Sequence, residues 1–151
     1  MSKIAALLAL ALAAALAGCG DSGRDYMKVA GGGVVFNYRV AEATYGVTLT
    51  PQREIPKGAR LLASFDDPAG GPRLETAQTI VPGRPRYSVT SPPVKGIRKG
   101  DTYRIAIRLQ DAAGRQLGEW SAEVHADLDQ SVLPDKALTV GPGYTPNPQA
   151  Q

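Results

Sequence analysis

Apolar and polar residues alternate with a period of two along most of this chain, and no stretch beyond the first twenty residues sustains a helical period. The clearest run is Asp101 to Gln110, where Tyr103, Ile105, Ile107 and Leu109 share one face and Arg104, Ala106, Arg108 and Gln110 the other. Arg60 to Asp66 repeats the pattern with Leu61, Ala63 and Phe65. Val34 to Val40 does so with Val34, Phe36, Tyr38 and Val40, and Tyr45 to Arg53 with Val47 and Leu49, Pro51 marking an edge or a bulge. Leu74 to Val81 and Tyr87 to Thr90 read as shorter strands, the first also tolerating a helical turn at its start. Gln116 to Val124 returns beside the best strand after the turn Asp111-Ala112-Ala113-Gly114, whose glycine suits a left-handed position. Leu117 and Trp120 are one residue out of phase, which predicts a bulge near Gly118. Leu138-Thr139-Val140 is expected to close the sheet.

Turn signals separate these runs: Pro56-Lys57-Gly58, Asp67 to Pro72, Pro82-Gly83 and Pro92-Pro93. About seven short strands punctuated this way predict an all-β chain. The expected architecture is a single small antiparallel β-sandwich, immunoglobulin-like or transthyretin-like, with Phe65 and Trp120 anchoring its core.

The first twenty residues differ in kind. Lys3 precedes an unbroken run of Ile, Ala and Leu over residues 4–16, and Leu16-Ala17-Gly18-Cys19 follows. The run has the form of a secretory signal and is shorter than the ~20 apolar residues of a membrane span. LAGC at its end resembles the bacterial lipoprotein lipobox. The resemblance implies cleavage between Gly18 and Cys19 and acylation of the Cys19 sulfur. Residue 20 is glycine rather than aspartate, which by analogy with enterobacterial sorting leans towards the outer membrane, periplasmic face. The expected organisation is a signal peptide over 1–18, a lipidated tether over 19–33 that includes Gly31-Gly32-Gly33, the β-sandwich over 34–140, and a disordered Pro-rich tail over 141–151.

Composition then removes most chemistry. Cys19 is the sole cysteine, so acylation takes the only thiol and no internal disulfide is possible. A net charge of +3 is too small for a nucleic-acid footprint. His125 is the only histidine, which argues against a zinc or copper site, so no metal and no cofactor is expected. Asp66-Asp67 and Asp127-Leu128-Asp129 lack the spacing of a calcium loop and read as turn acids. A triad would have to join His125 to a serine such as Ser88 or Ser121 without a nucleophile elbow, so the chain reads as a non-enzyme. What remains are surfaces. Lys95, Arg98 and Lys99 fall in one loop, with Arg84 and Arg86 one loop upstream and Arg104 and Arg108 on the outward face of the best strand; Lys95, Arg98, Lys99, Arg104 and Arg108 are the candidate binding surface, for anionic lipid, glycan or an acidic partner.

The order of the pieces resembles the YbaY/YscW-like lipoproteins over roughly Tyr45 to Val140. The matching stretches are Arg53 to Leu61 (REIPKGARL), Glu75 to Ile80 (ETAQTI), Pro85 to Val89 (PRYSV) and Ile97 to Leu117 with its YRIAIR core. Asp66-Asp67-Pro68 departs from the family's D-x-S, and the stretch from Met27 to Val40 is additional. The resemblance implies a small β-sandwich lipoprotein in the outer membrane, some relatives of which act as pilotins that carry a secretin subunit. It brings no catalytic residues. The leading expectation is therefore a non-enzymatic binding or assembly accessory, held to the membrane by its lipid; the alternative is a glycan- or anionic-lipid-binding module.

Overall fold

The computed structural model describes residues 25–150. Seven strands form two antiparallel sheets: β1 (Met27–Asn37), β2 (Glu42–Pro51) and β5 (Tyr87–Thr90) in the order β1-β2-β5, and β3 (Arg60–Phe65), β4 (Leu74–Thr79), β6 (Thr102–Gln110) and β7 (Gln116–His125) in the order β4-β3-β6-β7. The chain changes sheet after β2, after β4 and after β5. This three-on-four connectivity is an immunoglobulin-like sandwich.

The alternation seen in the sequence sets which face of each strand is buried. Leu61, Ala63 and Phe65 of β3 lie opposite Leu109, Ile107 and Ile105 of β6, and all six are buried. Against them pack Ala43, Tyr45, Val47 and Leu49 of β2. Three rings join the sheets: Tyr45 meets Phe65 edge-on at 5.5 Å between centroids and Tyr103 at 5.4 Å. Each buried phenol satisfies its hydroxyl on backbone. Tyr45 donates to the carbonyl of Asp66, and the Tyr103 hydroxyl accepts the Arg98 N–H at 3.0 Å. The second bond, from a tyrosine at the start of the sixth strand to backbone just upstream, is a tyrosine corner.

Two register shifts explain where simple alternation fails. In β1, Val29 pairs with Leu49 but Gly31 pairs with Thr48, so Ala30 is an extra residue. The insertion reverses the phase: Met27 and Val29 point inwards before it, Gly32, Val34 and Phe36 after it. In β7 the shift falls between the pairs Leu109–Gly118 and Gln110–Gln116, leaving Leu117 extra, beside the expected position. Gly114 holds a left-handed φ of 85° in the β6–β7 turn, as its sequence context predicts.

Several expectations need correction. The tether expected over 19–33 does not reach residue 33, because β1 begins at Met27 and the triple glycine lies within it. A Cβ on Gly32 would stand 2.6 Å from the Gly46 carbonyl and from Val47 Cγ1, and 3.2 Å from Val124 of β7. Glycine here lets β1 close against β7 and is not linker chemistry. Tyr38 and Val40 fall in the β1–β2 turn rather than in a strand. Thr139-Val140 (β8) does not join a main sheet but pairs with Thr145-Pro146 (β9) in a hairpin of its own. Residues 141–150, expected to be disordered, belong to that hairpin and to a 3-10 turn at Pro148–Ala150. Asn147 ties the segment back, its side chain donating to the Ala137 carbonyl at 2.7 Å. The hairpin latches onto the β1–β2 turn through Thr139, whose N–H donates to the Arg39 carbonyl at 2.9 Å.

Trp120 is half-buried and packs on the margin of the core, unlike the fully buried Phe65. Its side has the inward phase, but β7 is the edge of its sheet and the indole lines an open cleft beside Met27 and Lys28 of β1.

Gly32→Val should destabilise the domain by about 1–3 kcal/mol in denaturant unfolding, the usual cost of overpacking. Burial pushes the phenol pKa of both Tyr45 and Tyr103 above the ordinary 10.0. The folded chain therefore keeps these protons where the unfolded chain has lost them. Their effect on stability is flat below pH 10 and falls as pH rises above it. Tyr103→Phe should cost about 1 kcal/mol at neutral pH through the lost corner bond and should flatten the alkaline slope.

Candidate functional site

The strand directions divide the sandwich into two ends. One end gathers the start of β1, the β2–β3 loop (residues 52–59), the β4–β5 loop (80–86) and the β6–β7 turn (111–115). The other gathers the β1–β2 turn (38–41), the β3–β4 loop (66–73), the β5–β6 loop (91–101) and the segment from 126 onwards. The chain arrives at the first end, and its C-terminal segment covers the second. Cys19 and the Gly18–Cys19 bond lie outside the described residues.

The expected basic residues divide between a loop and a strand face. Lys95, Arg98 and Lys99 are exposed in the β5–β6 loop at the second end, whereas Arg104 and Arg108 project from the outer face of β6. Arg104 Nε bonds Glu123 of β7 at 3.2 Å; Arg108 is opposite Glu119 in register, but the Glu119 carboxylate accepts from the Gln116 side chain at 3.2 Å. Period-two alternation reveals which residues face outwards, but only the β6–β7 register reveals which acid lies opposite each cation. Arg98 in turn lies near Asp129, whose carboxyl is held below its ordinary value of 3.8 chiefly by the Ser131 N–H, which donates to it at 3.0 Å.

Arg98 and Asp129 line an open cleft of 490 Å³ at the second end, together with Ala41, Ile97, Gln130 and Leu133. Gln130 builds this wall. Its side chain accepts the Ile97 N–H at 3.1 Å and donates to the Val94 carbonyl at 3.1 Å, fastening the C-terminal segment to the β5–β6 loop. The polar groups of the wall thus bond mainly to each other.

Other candidate chemistry resolves into structure. Asp67 accepts the N–H groups of Ala69 and Gly71, shaping the β3–β4 turn. Asp66 pairs with Arg73 and accepts the Arg104 N–H. Among the described residues, no three His, Cys, Asp or Glu side chains cluster in a way that could hold a metal ion. His125 is exposed beside Thr102, with Nδ1 and Oγ1 3.4 Å apart. It meets neither serine proposed for a triad: Ser121 pairs with Ala106 further along β7, and Ser88 belongs to the other sheet.

The feature with functional form is a sheet edge. The four edges are β1, β5, β4 and β7. Exposed edges invite pairing by foreign strands, and folded proteins guard them with bulges, charges, prolines or brevity. β1 and β7 carry bulges and face each other across their seam, where Gly32 admits Val124. β5 has four residues and leads into Pro92-Pro93. β4 is longer, six residues with no bulge; its register against β3 is unbroken and its sole charge is Glu75. Beside it runs a cleft of 200 Å³ towards β5, floored by Leu61 and Val89 and walled by Thr76, Gln78 and Thr90. Gln78 spans the cleft, donating to the Ser88 carbonyl at 2.9 Å. Alternation along the chain does not reveal this edge, because which strands are outermost depends on sheet order.

No family model matches the chain, and no curated protein matches it. Among solved structures, similarity is found to a β-glucuronidase from glycoside hydrolase family 2 (10% identity, 64% of this chain, 11% of that chain, TM-score 0.41). It is also found to wild-type OgpA from Akkermansia muciniphila (13% identity, 72% of this chain, 29% of that chain, TM-score 0.40). A third is an immunoglobulin-like protein from Pseudomonas aeruginosa (20% identity, 69% of this chain, 100% of that chain, TM-score 0.33). The chain thus spans a small part of the first two. All three likenesses lie below a TM-score of 0.5; the immunoglobulin-like assignment rests on strand connectivity and the tyrosine corner.

One local test concerns the single tryptophan. The indole lies back over Gly118, where a Cβ would stand 2.5 Å from its Cη2. Gly118→Val should displace the ring towards solvent, with a red shift of Trp120 emission and a destabilisation of about 1–3 kcal/mol.

Proposed function

We propose that this protein is a lipoprotein acylated at Cys19, held on the periplasmic face of the outer membrane, that serves as a non-enzymatic binding or assembly accessory. The lipobox resemblance supports the anchor. The unguarded edge of β4 is the observation that supports the binding role. Strand addition gives affinity through main-chain hydrogen bonds and takes specificity from side-chain pockets alternating along the edge. The β4–β5 cleft offers such pockets, with an apolar floor and hydroxyl and amide walls. The fitting partner is an envelope protein that presents an extended segment; a secretin subunit, the cargo of the pilotins among the YbaY/YscW-like proteins, is the candidate the resemblance offers.

The reading is tested by capture from membranes. Ala77 and Thr79 are exposed on the outer face of β4, so Ala77→Lys with Thr79→Lys adds edge cations without disturbing the core. A stoichiometric envelope protein should co-purify with the wild-type chain, and its recovery should fall about tenfold or more in the double variant, the loss of at least ~1.4 kcal/mol of binding. Recovery equal in both, or no reproducible partner, overturns the reading.

A further inference from the structure

The two ends of the sandwich differ in charge, and the difference is aligned with the point where the chain arrives. At the first end Lys28, Arg53, Lys57, Arg60, Arg84 and Arg86 are all exposed, and none forms an ion pair among the described residues. The acids there are Asp25 and Glu54, besides Asp111, which is paired with Arg115 at 3.1 Å. The loops of the second end carry Arg39, Lys95, Arg98, Lys99 and Lys136 together with the acids Glu42, Asp67, Asp101, Asp127, Asp129 and Asp135, besides the Arg73–Asp66 pair. One end therefore has a clear positive excess and the other none. The order of the loops produces this: residues 52–59, 80–86 and 111–115 are distant in sequence and meet only because β2, β4 and β6 all finish at the same end.

We infer that the basic end is a docking surface for anionic phospholipid headgroups of the membrane that holds the protein. The inference rests on the acylation of Cys19 proposed above. Six residue steps separate Cys19 from Asp25, and fully extended chain spans at most ~3.6 Å per residue, so about 22 Å at most. Asp25 leads directly into β1 at the basic end, so this leash brings that end, and not the opposite one, to the headgroups. Aromatic groups stand beside the cations. Tyr26 lies under the Arg53 guanidinium at 4.4 Å, and Trp120 lines a cleft of 420 Å³ with Met27, Lys28 and Gln52. Phosphate-bearing headgroups match this set in charge, and the leash supplies proximity. The expected Lys95–Lys99 surface has neither advantage.

Trp120 is the only tryptophan and serves as the reporter. The acylated chain is placed in vesicles of phosphatidylcholine, or of phosphatidylcholine with phosphatidylglycerol, each containing a dansyl-headgroup acceptor. Energy transfer from Trp120 should be higher in the anionic vesicles. The gain should be lost in high salt and in the triple variant Arg53→Glu, Arg84→Glu, Arg86→Glu, and retained in Lys95→Glu, Arg98→Glu, Lys99→Glu. Circular dichroism checks that both variants keep their strands. Equal transfer in the two vesicle types overturns the inference, as does loss in the second variant instead of the first. Equal transfer together with cross-linking of the basic end to an acidic envelope protein assigns the surface to that protein and also overturns it. Acylation is read separately, from the mass of the N-terminal peptide. If the acyl mass is absent, the anchor reading fails; flotation of the unacylated chain with anionic but not neutral vesicles then decides the docking surface alone.

Discussion

The junction of Tyr45, Phe65 and Tyr103 is the interaction on which the rest depends. One ring comes from the three-stranded sheet and two from the four-stranded sheet, so their contact defines how the layers face each other. Aromatic pairs of this geometry add about 0.5–1.5 kcal/mol to the burial of their area. The two hydroxyls matter as much. A buried phenol with no partner would oppose the packing that buries it, and here each reaches backbone in a loop at the same end of the sandwich, Asp66 in one case and Arg98 in the other. The core thereby fixes two loops that its apolar surface could not. Arg98 and its neighbours, and through Gln130 the C-terminal segment, take their positions from this end of the core.

A sandwich held at its centre still has margins, and the margins carry the functional argument. Three of the four sheet edges are guarded by unrelated devices: a bulge and a glycine that bring β1 to β7, a bulge in β7, brevity and a proline pair in β5. β4 lacks them. Its nearest cover is one glutamine side chain donating to Ser88, a bond worth about 1 kcal/mol that an incoming strand would replace several times over.

Much of this architecture is legible in the sequence, and the failures share a cause. Strands β3 and β6 declare themselves because they are central and buried on one face, so Leu61, Phe65, Ile105 and Leu109 alternate cleanly. Trp120 has the same inward phase but sits on an edge strand, and phase carries no information about sheet order. Gly31-Gly32-Gly33 looks like linker because the requirement for Gly32 comes from Val47 and Val124, far away in sequence. The C-terminal segment looks disordered because its order comes from polar ties such as Asn147 to Ala137 and Thr139 to Arg39, which leave no apolar period. The cations gave the same difficulty. Lys95, Arg98 and Lys99 are adjacent and attract notice, yet the loops of their end also carry acids. Arg84 and Arg86 share a loop, but Arg53 is about thirty residues away, and only the strand directions bring the three to one end.

The gathered charge gains its meaning from the leash. A free domain with a modest basic end would bind an anionic surface weakly, because it must first surrender its translational freedom. An acylated domain has already done so. Interactions of ~1 kcal/mol per cation near the surface then have only to choose among orientations, and they need exceed the thermal energy of ~0.6 kcal/mol, not the cost of association. Such attraction fades within about 10 Å at moderate salt, a distance the six-residue leash keeps within reach. With the anchor proposed at Cys19, the end selected would be the one from which the chain departs, and the β4 edge would stand side-on to the membrane. The cleft beside Arg98 and Asp129 would then face away from it. On that proposal anchor, charge and open edge describe one geometry: a sandwich standing on its basic end, with its unguarded strand turned towards neighbours in the same membrane.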